Sequence, residues 1–155
     1  MIFIAHRGNI NGPNPSMENN PEYIMNTLKK GYNVKVDLWY VNNKFYLGHN
    51  KPDYEIELDF INNKRIWTHI KNVQALEIII NIKINNWKYN DKYYNNIHYF
   101  WHQEDDITLT SKGYIWAYPG KQPIKDSIAV MPELHQDNLD LCKGSCTDYI
   151  KKYNK

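Results

Sequence analysis

Short apolar runs that stop abruptly in polar residues recur along the chain, separated by loops rich in Asn, Gly and Pro. The first run, Met1-Ile2-Phe3-Ile4-Ala5, ends in His6-Arg7-Gly8. A buried strand that delivers His and Arg at its C-terminal tip is how α/β enzymes place catalytic groups. A strand that merely ends in polar residues reads the same way from this stretch alone. Val34 to Trp39 alternates, with Val34, Val36 and Leu38 on one side and Lys35, Asp37 and Trp39 on the other. That pattern suits a parallel barrel whose lumen mouth is a site, or a half-exposed strand of an antiparallel sheet. Asn42-Asn43 is a turn signal and joins this strand to a return strand, Lys44 to His49. Arg65 to Lys71 repeats the alternation, with Trp67, His69 and Lys71 sharing a face.

The helices are marked by their caps. Asn20 as N-cap, Pro21 at the first position and Glu22 in the first turn predict a helix to Lys30, stopped by Gly31. Asn72 caps a second helix, Val73 to Asn81. Asp53 to Asn62 reads as a short helix buried through Ile56, Phe60 and Ile61, and Ile82 to Asn96 as a connector with little periodicity. Further strands are expected at His98–His102, Tyr114–Tyr118, Ser127–Met131 and Ser145–Ile150, with a short helical segment near Asp137–Cys142. The late loops are too short for full helices. The expected fold is therefore α/β, a compact and reduced TIM-type (β/α) barrel of about seven strands, since the eightfold form takes about 250 residues.

Composition narrows the function classes. The 155 residues fit one domain, 1–155, with an adequate core. A net charge of +2 argues against a nucleic-acid binder, which carries a concentrated basic face. The basic cluster at Lys151 to Lys155 reads as a solvated tail. Cys142 and Cys146 lack the spacing of a zinc site and read as free thiols in a reducing compartment. With no leader-like segment and no run long enough to span a membrane, the expectation is a soluble cytoplasmic protein. Oligomeric state leaves no mark in the sequence.

The polar strand ends gather His6, Arg7, Glu18, Lys35, Asp37, His49, His69, Lys71, His102 and Glu133. Two histidines on separate strands, with carboxylates and cations around them, suit phosphoryl chemistry. One imidazole acts as base and the other as acid, while cations or a metal neutralise the phosphate oxygens. His98, and His102 beside Trp101, read as packing groups. Trp39, Trp67, Trp101 and Trp116 admit a different class, a carbohydrate-binding module, although such aromatics more often fill a small barrel.

His6-Arg7-Gly8, Glu18-Asn19, Val36-Asp37-Leu38 and Gly48-His49, in that order, resemble the N-terminal signature of the glycerophosphodiester phosphodiesterases. Cys146-Thr147-Asp148-Tyr149 looks like that family's closing strand, and Lys71 matches its central E-x-K strand in the lysine. The resemblance implies a TIM-type barrel that hydrolyses a small-molecule or lipid-derived phosphodiester. In it, His6 and His49 are the acid/base pair. Arg7 and Lys71 would hold phosphate oxygens, and Glu18, Asp37 and His69 would hold a divalent cation, Mg or Ca; beside the resemblance, Lys35 and Trp116 are also read as substrate-binding. The departures bear on that cation. The E-x-D pair reads Lys35-Val36-Asp37, the later metal-binding Glu reads His69, and the His-Asp pair reads His49-Asn50. A divalent ion about 4 Å from a lysine is disfavoured by several kcal/mol at intermediate dielectric. Three readings follow: Lys35 replaces the metal, a metal still binds, or a degenerate relative holds a phosphorylated ligand without turnover.

Overall fold

The computed structural model describes residues 1–154. Strand β1 is Ile2–His6, and α1 is Pro21–Lys29, capped by the Asn20 side chain, which accepts from the Glu22 and Tyr23 amides. Strands β2, Asn33–Val41, and β3, Lys44–Leu47, form the expected hairpin through Asn42 and Asn43, both with positive φ. Strand β4, Tyr54–Ile56, and a 3-10 turn, Leu58–Ile61, take the place of the single helix expected over 53–62. The free edge of β3 captures Tyr54–Ile56 as an antiparallel partner, and three residues at a sheet edge outcompete a short, weakly capped helix.

Strand β5 is Ile66–Ile70, and α2 runs from Val73 to Ile84, beyond the expected Asn81, because Ile82 reaches the core. Asn72 caps α2 as expected, accepting from the Ala75 amide. Strands β6, His98–Trp101, β7, Ile107–Leu109, β8, Ile115–Ala117, and β9, Ile128–Val130, follow. No helix forms near Asp137–Cys142; a 3-10 turn occupies Pro132–Leu134 instead. Strand β10, Gly144–Thr147, ends earlier than expected, and Ile150 already belongs to α3, Ile150–Tyr153.

The strands form one mixed sheet. Seven run parallel in the order β6-β5-β2-β1-β10-β9-β8, and β7 adds antiparallel to β8. The sheet curls into a half-barrel, and its two ends approach one another. The Tyr99 carbonyl accepts from the Ser111 amide at 2.8 Å, the Tyr99 amide donates to Ser111 Oγ at 3.0 Å, and Thr108 Oγ1 donates to the Trp101 carbonyl at 2.9 Å. Phe100 of β6 and Trp116 of β8 meet across the concave face with ring centroids 4.6 Å apart.

Strand alternation separates two cores. On the convex side Ala5, Val34, Val36, Leu38, Ile66 and Ile70 pack with Ile24 and Leu28 of α1 and Ile79 and Ile82 of α2. On the concave side Ile4, Trp67, Phe100, Trp116, Ile128, Val130 and Cys146 fill the space. Large aromatics can close the interior of a sheet this small without help from other layers. The polar residues sharing that concave parity, His6, Lys35, Asp37 and His69, therefore stand one layer above an apolar floor. Both cysteines are free, Cys146 within this floor, where burial pushes its thiol up. Among the described residues, no helix is long and apolar enough to cross a membrane.

His98 is the floor's exception. It lies against Trp67 with ring centroids 4.2 Å apart, and its Nε2 is buried without a partner. Burial, and secondarily Lys112, lower its pKa from 6.5 to about 3. A histidine depressed in the folded state stabilises the fold above its unfolded pKa, and that stability is lost as pH falls toward the folded value. The difference corresponds to an upper bound of roughly 5 kcal/mol. Denaturant unfolding should show stability falling as pH drops from 6.5 to 4.5, and His98→Phe should make that slope shallower without loss at neutral pH. An unchanged slope would contradict this role.

Candidate functional site

The C-terminal ends of the parallel strands, together with the β2–β3 hairpin, bring the polar groups to one place. After His6 the chain turns sharply. Arg7 has φ 53 and Gly8 φ 97, and a Cβ on Gly8 would lie 2.7 Å from the Tyr23 ring. A left-handed arginine costs on the order of 1–2 kcal/mol. It is held by two backbone bonds, from the Arg7 amide to the Lys35 carbonyl at 2.9 Å and from the Asn19 amide to the Arg7 carbonyl at 3.1 Å. The strain aims the guanidinium across the strand ends. His49 arrives on the hairpin. The Gly48 amide donates to the Asp37 carbonyl at 3.1 Å and the Gly48 carbonyl accepts from Trp39 Nε1 at 2.6 Å. A side chain at Gly48 would collide with the Lys51 carbonyl, 1.9 Å from the Cβ position.

Asp37 is the centre of the cluster and is fully buried. Its Oδ1 receives Lys35 Nζ at 2.5 Å and faces His69 Nδ1 at 3.1 Å. Its Oδ2 receives Asn19 Nδ2 at 3.0 Å and forms an ion pair with Arg7, whose Nε lies 3.2 Å away without the alignment of a hydrogen bond. Burial alone would raise this carboxyl, but the Lys35 charge and the His69 hydrogen bond outweigh it and hold the pKa well below the usual carboxylate range. Lys35 is lowered by burial, with Asp37 opposing. Arg7 reaches further, with Nη1 donating to Glu18 Oε2 at 2.9 Å and Nη2 to His49 Nδ1 at 2.8 Å. A guanidinium only donates, so His49 Nδ1 is the acceptor and its ring proton lies on Nε2.

His6 is held differently. Its Nδ1 lies 3.0 Å from Asp148 Oδ1 and donates to that carboxylate, which leaves the Nε2 lone pair available. Burial lowers the His6 pKa, and Lys35 and Arg7 lower it further against the pull of Asp148. Burial would raise Asp148, but the His6 hydrogen bond and charge, with Asn9 and Arg7, bring it below the ordinary value. Asn9 Nδ2 ties the two halves of the cluster, lying 2.8 Å from Asp148 Oδ1 and 2.9 Å from Glu18 Oε1.

A cavity of about 520 Å³ opens over this cluster. Its wall carries Arg7, Lys35 and Lys71, the imidazoles of His6, His49, His69 and His102, and the aromatics Trp39, Trp101, Trp116 and Tyr118. Among the described residues, no carboxylate reaches the lining; Asp37, Glu18 and Asp148 lie outside it, each engaged by the groups above. The surface is built for an anion.

Among the residues expected from the sequence, His6, Arg7, Lys35, His49, His69, Lys71 and Trp116 all reach the cavity, with Trp116 fully buried at its floor. His102, read as a packing residue, does stack on Tyr118 at 3.7 Å but also lines the wall. Glu133 belongs elsewhere, accepting from Thr147 Oγ1 at 2.8 Å and from the Asp148 amide at 3.3 Å. Asp148, Asn9, Asn19 and Tyr118 had no assigned role. Asp148 had a usable signal, since it shares parity with the concave Cys146, and β10 pairs directly with β1.

The expected metal ligands do not fit a divalent ion. Both Asp37 oxygens are taken by cations and an amide, and both Glu18 oxygens by Arg7 and Asn9. His69 Nδ1 faces Asp37 and Nε2 faces the His102 carbonyl at 3.0 Å, two acceptors of which a neutral ring donates to one, and burial lowers its pKa. Among the described residues, no group of three or more His, Cys, Asp or Glu is arranged to hold a metal. Compared with family models, curated proteins and solved structures, the chain matches none.

Proposed function

We propose that the chain is a phosphodiester hydrolase acting through His6 and His49, on the plan that its N-terminal motifs share with the glycerophosphodiester phosphodiesterases. On this reading the curled sheet is a reduced TIM-type barrel. The observation that carries it is the cavity wall: three cations and four imidazoles with no carboxylate among them. Such a wall favours an anion with several oxygens. The two histidines differ in the way acid/base chemistry requires.

His6 is the base. Asp148 fixes its tautomer, and its lowered pKa keeps Nε2 unprotonated near neutral pH. It takes the proton from the attacking hydroxyl, of water or of the substrate itself. A bond forms from that oxygen to phosphorus as the bond to the leaving alcohol breaks, and the departing electron pair takes a proton from His49. In its protonated form His49 carries a hydrogen on Nδ1. That nitrogen then pairs by charge with Asp37 Oδ2, 3.8 Å away, rather than accepting from Arg7. Lys71 and Arg7 hold the non-bridging oxygens. Trp39, Trp101 and Tyr118 offer an apolar wall to one alcohol group, soluble or lipid-derived.

The purified chain should release p-nitrophenol from bis-p-nitrophenyl phosphate. Folded protein that stabilises on adding inorganic phosphate, but never turns over a diester, would instead establish a phosphate-binding protein without catalysis.

A further inference from the structure

We propose that Arg7, Lys35 and Lys71 take the place of a divalent ion, so that the site acts on its phosphodiester without a metal. This rests on the phosphodiesterase reading of the cavity. Phosphoryl transfer spreads negative charge over the non-bridging oxygens, and a site must supply compensating positive charge where it develops. Here three side chains already bring that charge to the wall. Lys35 uses one Nζ hydrogen on Asp37, and its remaining donors are available on the cavity side. Arg7 is braced by Glu18, Asp37 and His49 together, so its planar fork is held in one orientation before any ligand arrives.

The carboxylates that could have recruited a metal serve as counter-charges for these cations. Asp37 is surrounded on both oxygens, and its charge is balanced within the cluster. An incoming divalent ion would have to displace the Lys35 ammonium from Asp37 and leave it buried beside a second positive charge. The arrangement is self-neutralising without a metal and self-repelling with one.

The test uses the full chain dialysed against EDTA. Titration calorimetry with Mg²⁺, Ca²⁺ and Mn²⁺ should show no binding at millimolar concentrations. Turnover of bis-p-nitrophenyl phosphate should stay within about twofold between EDTA and any of these ions. Lys35→Glu, which adds a carboxylate beside Asp37, should gain a metal-dependent rise in Tm of ~3 °C or more. If that variant does not fold, Lys35→Met should lose turnover that no divalent ion restores. Metal binding by the natural chain together with loss of rate in EDTA, or restoration of Lys35→Met by a metal, would overturn the inference and leave the phosphodiesterase reading standing. Absence of turnover in every condition would defeat that underlying reading, while the calorimetry still decides whether the cluster takes a metal.

Discussion

His6→Ala and His49→Ala are each expected to lower kcat/KM toward a phosphodiester by roughly 10²–10⁴-fold. The two losses arise differently. Without His6 the wall loses the imidazole that Asp148 orients with its Nε2 free to take the nucleophile's proton, and Lys35 is committed to Asp37. Without His49 the leaving alkoxide departs unprotonated, and a substrate with a good leaving group such as p-nitrophenolate should suffer less than an alkyl diester. Folding should survive both changes. His49 is 40% exposed, and its loss frees only one Arg7 donor, which water can satisfy. His6→Ala leaves Asp148 with its Asn9 bond. Circular dichroism and Tm check that point, and an active, folded variant of either histidine would remove it from the mechanism.

The second large effect is on stability. Asp37→Ala should destabilise the fold by about 3–5 kcal/mol, the typical cost of stranding buried charge. Asp37 is completely buried and answers Lys35, Arg7 and His69 at once. Its removal leaves a buried ammonium and guanidinium facing each other across an empty position. Asp37→Asn, which keeps the shape and part of the hydrogen bonding, should cost less. Because burial is overcome by the cations to hold this carboxyl well below its ordinary value, its contribution is present at neutral pH. It is lost only as pH falls below the unfolded carboxylate value through the lower folded one. Denaturant midpoints for the natural chain and both variants measure this directly. A midpoint for Asp37→Ala equal to that of the natural chain would show that the cluster contributes nothing to the fold.

How much of this was readable in the residues depends on the distance over which each signal acts. The concave residues of β2 and β5 could be identified because strand parity is local: Lys35 and Asp37 share a side with Trp39, and Trp67 shares one with His69. The caps of α1 and α2 were equally local, at Asn20 and Asn72. The scarcity of helices after β6 followed from loop length. Strand β7 escaped because Ile107-Thr108-Leu109 is three residues long with both apolar side chains exposed, and so it has no periodicity to detect. Asp148 lies 142 positions from the histidine it orients, and the parallel pairing of β1 with β10 brings them together. Asn9 and Asn19 were invisible for another reason. In a chain rich in asparagine, one that bridges two carboxylates and one that clasps a third look like any others.

Lys35 shows the reach of sequence reasoning most clearly. Its position two residues before Asp37 already placed an ammonium where a metal ligand was expected. The structure adds that Arg7 brings a second cation to the other oxygen of the same carboxylate.

The pH dependence of kcat/KM for an alkyl phosphodiester, whose leaving group needs the acid, measured in EDTA, tests the two-histidine account most directly. It should be bell-shaped. The acidic limb reports deprotonation of His6 and should lie below the ordinary histidine value of 6.5, because burial lowers that group. His6→Ala should erase this limb and His49→Ala the basic one. A flat profile, or an acidic limb that survives in His6→Ala, would contradict the account.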